Sequence, residues 1–241
     1  MTERGWVHGT DAAPLLEFLR DRATDRKLRL FACACCRRAW DALRDERSRH
    51  AVDVAERYAD SLTTASELSK ARRAATAVTA GDSPWWEKVQ RLWESTLARL
   101  AQEGGPGVED PWAALAALTA FPPSPTWTAR PATEKTLRQL LAATRESDED
   151  GAALACLVRD VFGNPFRPPP AFDPAWLAWD DGAVARLTQG IYNRRAFDRL
   201  PALADALLEA GCDDAELIEH CRADLVHTRG CWALDALLGK A

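Results

Sequence analysis

Apolar residues recur along this chain every three or four positions, the spacing that lines one face of an α-helix. Between residues 25 and 43, Leu28, Phe31, Ala32, Cys35, Ala39 and Leu43 keep this period and predict a helix with one buried face. Val52, Ala55, Tyr58, Ala59 and Leu62 mark another over about 48–62. Upstream, Thr10 or Asp11 can cap a short helix carrying Leu15, Leu16, Phe18 and Leu19. Pro14 falls in its first turn, where a missing N–H costs little. Thr64-Ala65-Ser66-Glu67 reads as a capping box that opens a helix running through Ala77.

The middle of the chain is richer in breakers. Ser83-Pro84 starts a helix bearing Trp85, Trp86, Val89, Leu92, Trp93 and Leu97, which Gly104-Gly105-Pro106-Gly107 ends. A short helix over about 111–120 precedes Phe121-Pro122-Pro123-Ser124-Pro125, which cannot stay helical. Helical periods resume over 133–145 and 151–162, and Gly163 to Pro170 forms an extended connector. Helices are then expected over 181–192, 195–210 and 213–222, with Gly211 in the left-handed position after the second. Asp213 with Glu216 would open the third, and a last helix covers about 229–238. No segment shows sustained two-residue alternation bounded by hairpin turns, so no strand is predicted. The expected fold class is all-α, an irregular bundle of about ten helices with Pro-rich extended connectors. Its divisions are an N-terminal helical half (1–80), a Trp/Pro-rich variable segment (81–131) and a C-terminal helical half (132–241), as separate parts or one continuous domain.

Composition narrows the function classes. With 47% hydrophobic and 28% charged residues the chain is far from disordered composition. Its formal charge of −5 offers no global attraction to nucleic acid or anionic membrane. No apolar run is long enough to span a bilayer, and the N-terminus lacks the apolar stretch of a secretory signal. Seven cysteines, an odd number with Cys35 and Cys36 adjacent, do not resemble a disulfide framework. A cytoplasmic protein with free or metal-bound thiols is expected. Ten tryptophans beside two tyrosines fit a GC-rich coding sequence better than a dedicated aromatic surface.

The densest chemistry lies in the last thirty residues, with Cys212, His220, Cys221, His227 and Cys231. Zinc needs four such ligands in a tetrahedron. His227 and Cys231 are four apart and suit one helix face, and His220 with Cys221 or Cys212 would complete the set. The second pair is untidy. Cys212 and His220 would stand about 12 Å apart along one helix, and adjacent His220 and Cys221 point about 100° apart. The spacing therefore favours cysteines buried as small hydrophobes, with the histidines capping helix C-termini or bonding backbone carbonyls. A nucleophilic Cys231 with His227 as base and Asp235 a turn further on lacks an oxyanion segment beyond Gly230. Cys33, Cys35 and Cys36 do not converge on a helix and read as a packed small-residue face.

Arg26, Lys27, Arg29, Arg37 and Arg38 form a candidate anion or nucleic-acid patch, against which stands a solvated face paired with Asp41, Asp45 and Glu46. The hairpin 201–222 does not suit a DNA reader, because Asp213, Asp214, Glu216 and Glu219 would face phosphates with Arg222 alone to offset them.

Several segments together resemble a known family. They include Leu16-Glu17-Phe18-Leu19-Arg20, the run from Asp25 to Arg38, and Arg159-Asp160-Val161-Phe162-Gly163-Asn164-Pro165-Phe166-Arg167-Pro168. Ala196-Phe197-Asp198-Arg199-Leu200-Pro201, His220-Cys221-Arg222 and Arg229-Gly230-Cys231-Trp232 belong with them. Over residues 10–75 and 154–240 the chain resembles a large paralogous family of uncharacterised helical proteins from planctomycete bacteria of the Gemmata type. It departs from that pattern at Ala223–Val226, where a Gly/Pro-rich link is expected. The resemblance implies a bacterial cytoplasmic protein and brings no activity with it.

Without a phosphate loop, dinucleotide fingerprint or metalloprotease signature, the sequence points to a non-enzymatic helical interaction or adaptor module that binds another protein. The alternative is a zinc-binding protein, an enzyme or not, built on the C-terminal His/Cys cluster. A nucleic-acid-associated protein is the weaker third reading.

Overall fold

The computed structural model describes residues 1–19, 22–38, 40–43, 45–80, 148–167 and 173–240. The segment 81–131 and the helices expected within 83–97, 111–120 and 133–145 lie outside the described residues. Among those described, ten α-helices and two short 3-10 turns account for the regular structure, and there is no strand. The chain is all-α. It divides into two compact units, one of residues 11–154 and one of residues 1–10 with 155–241.

The first unit holds α2 (Ala12–Leu19), α3 (Asp25–Arg38), α4 (Glu46–Ala59) and α5 (Ala65–Ala80). Asp11 accepts from the Ala13 amide at 3.0 Å, as an N-cap should. The capping box forms in both directions: Glu67 N donates to Thr64 Oγ1 and Thr64 N to Glu67 Oε2, each at 3.2 Å. The helix predicted to reach Leu43 stops at Arg38 and gives way to a 3-10 turn over Trp40–Ala42. That turn sets Trp40 under the guanidinium of Arg37, 4.0 Å from the ring centroid. Phe31, Cys33, Cys36, Ala51, Val52 and Ala55 are sealed from solvent, and α3 packs on α4 and α4 on α5.

The second unit begins with α1 (Glu3–His8), a short helix capped by Thr2. It continues with the end of α6 (Asp148–Phe162), then α7 (Pro174–Arg194), α8 (Leu200–Glu209), α9 (Ala215–Arg222) and α10 (Trp232–Leu237). Helix α7 is interrupted where Asp180, Asp181 and Gly182 take left-handed conformations, and Arg186 holds the carbonyls of Asp180 and Asp181 there. The expected helix 195–210 begins later, because Arg195 is left-handed and Pro201 falls at the start of α8. Gly211, at φ 84, reverses the chain as foreseen, with Cys212 N bonding to Leu207 O at 2.9 Å. The cap of α9 is Asp214 rather than Asp213: its carboxylate accepts from Leu217 N at 2.9 Å. Leu203, Leu207, Leu217, Ile191, Tyr192 and Leu234 are central to the core of this unit.

No described helix is long and apolar enough to cross a membrane.

Candidate metal centre

Asp160 sits in the last turn of α6, on a face otherwise given to Leu157 and Val161. A carboxylate there must find donors, because an isolated buried charge is costly. Its side chain is 2% exposed and its partners are His220, His227 and the Thr228 amide. His227 Nδ1 lies 2.7 Å from Oδ1, Thr228 N donates to Oδ2 at 2.8 Å, and His220 Nε2 lies 3.3 Å from Oδ1. Burial alone would push the Asp160 carboxyl up. The bonds from His220 and His227 outweigh it and hold the group below its ordinary value.

Each partner is placed by a different piece of local structure. Helix α9 presents His220 from its last turn. The loop from Ala223 to Gly230 brings His227 back toward α6, and Cys231 occupies the N-cap of α10 without making a side-chain cap. Cys231 Sγ lies 3.2 Å from His220 Nε2, and the two imidazoles meet edge to face at 4.9 Å. One ligand atom from each of Asp160, His220, His227 and Cys231 falls within 4.8 Å of all the others.

Tetrahedral zinc with bonds of about 2.0–2.3 Å separates its ligand atoms by about 3.3–3.6 Å. The His220–Cys231 and His220–Asp160 separations of 3.2 and 3.3 Å are close to those edges. The Asp160–His227 separation, a hydrogen-bond length of 2.7 Å, would have to open by about 0.6 Å. A carboxylate and a thiolate together would also cancel the charge of a divalent ion, leaving a neutral buried centre. These four residues could hold a metal ion.

One feature of the surroundings opposes a metal. Trp232 Nε1 donates to His220 Nδ1 at 3.2 Å. An indole N–H only donates, so this bond makes Nδ1 an acceptor and places the ring proton on Nε2, between Asp160 and Cys231. A metal on Nε2 would shift that proton to Nδ1 and cost the bond from Trp232. Conversely, His227 Nε2 is buried with no hydrogen-bond partner among the described residues.

The remaining candidates are placed differently. Cys212 and Cys221 lie in the hydrophobic core of the unit, outside the four-donor cluster. Burial pushes the Cys221 thiol up to about 12. His220 and His227 turn to a carboxylate rather than to backbone carbonyls, since Asp160 is the stronger acceptor within reach. The Cys231 thiol is raised well above its ordinary value by burial and by Asp160, the opposite of an activated nucleophile. Its neighbour is His220, not His227.

In the first unit, Arg26 pairs with Asp60 at 2.9 Å, and Arg37 binds Glu56 at 2.9 Å and Asp53. Arg29 lies over the Tyr58 ring, Lys27 is half-buried, and Arg38 is exposed. Internal acids thus engage Arg26 and Arg37, which were expected to face an anion.

Sequence reasoning missed Asp160. Its one local signal is a charged residue among Leu157, Val158 and Val161 on an otherwise apolar helix face.

An all-α protein with a candidate Asp/His/His/Cys centre is the class that this geometry defines. No family model matches the chain, and comparison with curated proteins and with solved structures finds no match.

Proposed function

We propose that this is a metal-binding, non-enzymatic helical protein whose C-terminal unit is tied together by one zinc ion on Asp160, His220, His227 and Cys231. The observation that carries this is the convergence of four ligand atoms from separate segments to within 4.8 Å. Mixed nitrogen, oxygen and sulfur donors suit zinc, while a thiolate disfavours magnesium and calcium. A structural role is supported by burial: the Asp160, His227 and His220 side chains are 2%, 4% and 12% exposed and Cys231 is fully enclosed. Four protein ligands would also leave no open position for a reacting water.

Elemental mass spectrometry of the full chain, purified without tag or chelator, tests this. About one zinc per chain is expected, lost from an Asp160→Asn or Cys231→Ala chain. A metal-free parent chain that folds normally overturns it.

The adaptor role draws on a second observation. Leu225 and Val226 are 49% and 65% exposed on the loop that runs into His227. The centre would hold that loop in one shape and offer its apolar tip to another protein. A partner retained by the parent chain but equally by a Leu225→Asp, Val226→Asp chain would place binding elsewhere. Membership of the Gemmata-type family remains part of this proposal.

A further inference from the structure

Arg159 and Asp160 are neighbours at the end of α6 and have opposite duties. Asp160 reaches the His/Cys cluster, while Arg159 reaches the N-terminal arm of residues 1–10. Arg159 Nε donates to Trp6 O at 2.7 Å, and its guanidinium also holds Gly9 O. The next residues repeat the pattern. Gly163 O accepts from the Trp6 indole at 3.0 Å, and Asn164 Nδ2 and Arg167 Nε each bond Glu3 Oε1 at 2.9 Å. Trp6 is 1% exposed, so the arm is anchored rather than draped.

Gly163 also faces the cluster. At φ +67 it lies so close to Trp232 that an added Cβ would stand 3.1 Å from Cγ of the indole. Trp232 is the donor to His220 Nδ1. One short stretch, 159–167, therefore carries a ligand of the centre on one side and the anchorage of the arm on the other.

We infer that docking of the N-terminal arm and metal binding at the Asp160 centre are coupled through residues 159–167, so that the metal acts as a latch on the arm. The inference rests on the metal-binding reading above. Two events that order the same segment share its entropic cost, and each strengthens the other. The coupling must be reciprocal.

Arg4 lies within α1, so trypsin cuts the Arg4–Gly5 bond only when that helix opens. The full chain is digested with zinc bound and after chelation, and loss of residues 1–4 is followed by mass spectrometry against cleavage after Arg199. Chelation is expected to speed the Arg4 cut about fivefold or more over the control site. The second measurement is zinc affinity of a Trp6→Phe chain, which keeps a smaller aromatic ring in place and removes the bond to Gly163 O. A loss of about fivefold is expected, and this arm decides the matter if chelation opens the whole unit. An arm equally protected in both states, with unchanged zinc affinity in Trp6→Phe, overturns the coupling and leaves the metal centre standing. A parent chain that binds no zinc overturns both.

Discussion

Replacing Asp160 by asparagine keeps the shape of the side chain and removes its charge, and the surrounding hydrogen bonds set what this should cost. The carboxylate accepts at both oxygens, from His227 and His220 at Oδ1 and from Thr228 N at Oδ2. An amide accepts at one atom only, and its NH2 group must then face either Thr228 N–H or the two histidines. At least one charge-assisted bond is lost and one buried donor is stranded, together about 2–4 kcal/mol. In a unit of about 100 residues this lowers Tm by roughly 10–25 °C. The loss should be larger with zinc present, because stabilisation by a bound ligand grows with its concentration over Kd and the variant lacks one of four ligands. The assay is a thermal melt of the full chain, followed by circular dichroism with zinc added and with chelator. The parent should gain stability from zinc and the variant none. A variant melting within about 2 °C of its parent, and still responding to zinc, would refute the role given to Asp160.

Other consequences can be measured separately. Trp232→Phe keeps a smaller aromatic ring against Gly163 but removes the hydrogen bond that places the proton on His220 Nε2. Zinc affinity should rise about fivefold, the worth of one neutral hydrogen bond, and a fall would show that the indole supports the ligand instead. Gly163→Ala meets both a left-handed backbone and the Trp232 ring, so a loss of about 1–3 kcal/mol in urea denaturation is expected, and a neutral result would place the ring elsewhere. The folded Asp160 carboxyl titrates below its unfolded value of about 3.9, so falling pH protonates the unfolded chain first. Its contribution is full above about pH 5 and fades through the lower folded value. The metal-free parent should therefore lose more stability than Asp160→Asn between pH 7 and pH 3.5, and equal losses would count against an ionised Asp160. Of the seven free cysteines six are buried and Cys156 is half-buried, so a thiol reagent should modify Cys156 first, and a Cys156→Ser chain should resist over the same period.

The helices of this protein are written in short-range signals, and those signals are legible without a fold. The period of Leu28, Phe31 and Cys35 marks α3, and the Thr64/Glu67 exchange and the turn at Gly211 each depend on residues within one or two helical turns. Helix ends were harder: Asp213 and Asp214 offer the same chemistry, and only the observed chain direction selects Asp214. The candidate centre was half legible. His220, His227 and Cys231 stand out by residue type within a dozen positions, but Cys212 and Cys221 carry the same signal and lie in the core. Nothing local separates a cysteine that fills a gap from one that faces a histidine. That choice is made when α9 and α10 pack and point Cys231 at His220. Asp160, sixty residues away from His220, gains its role only when α6 lies beside the loop before α10. A carboxylate on an apolar face says that a partner is needed, and the tertiary fold alone decides which.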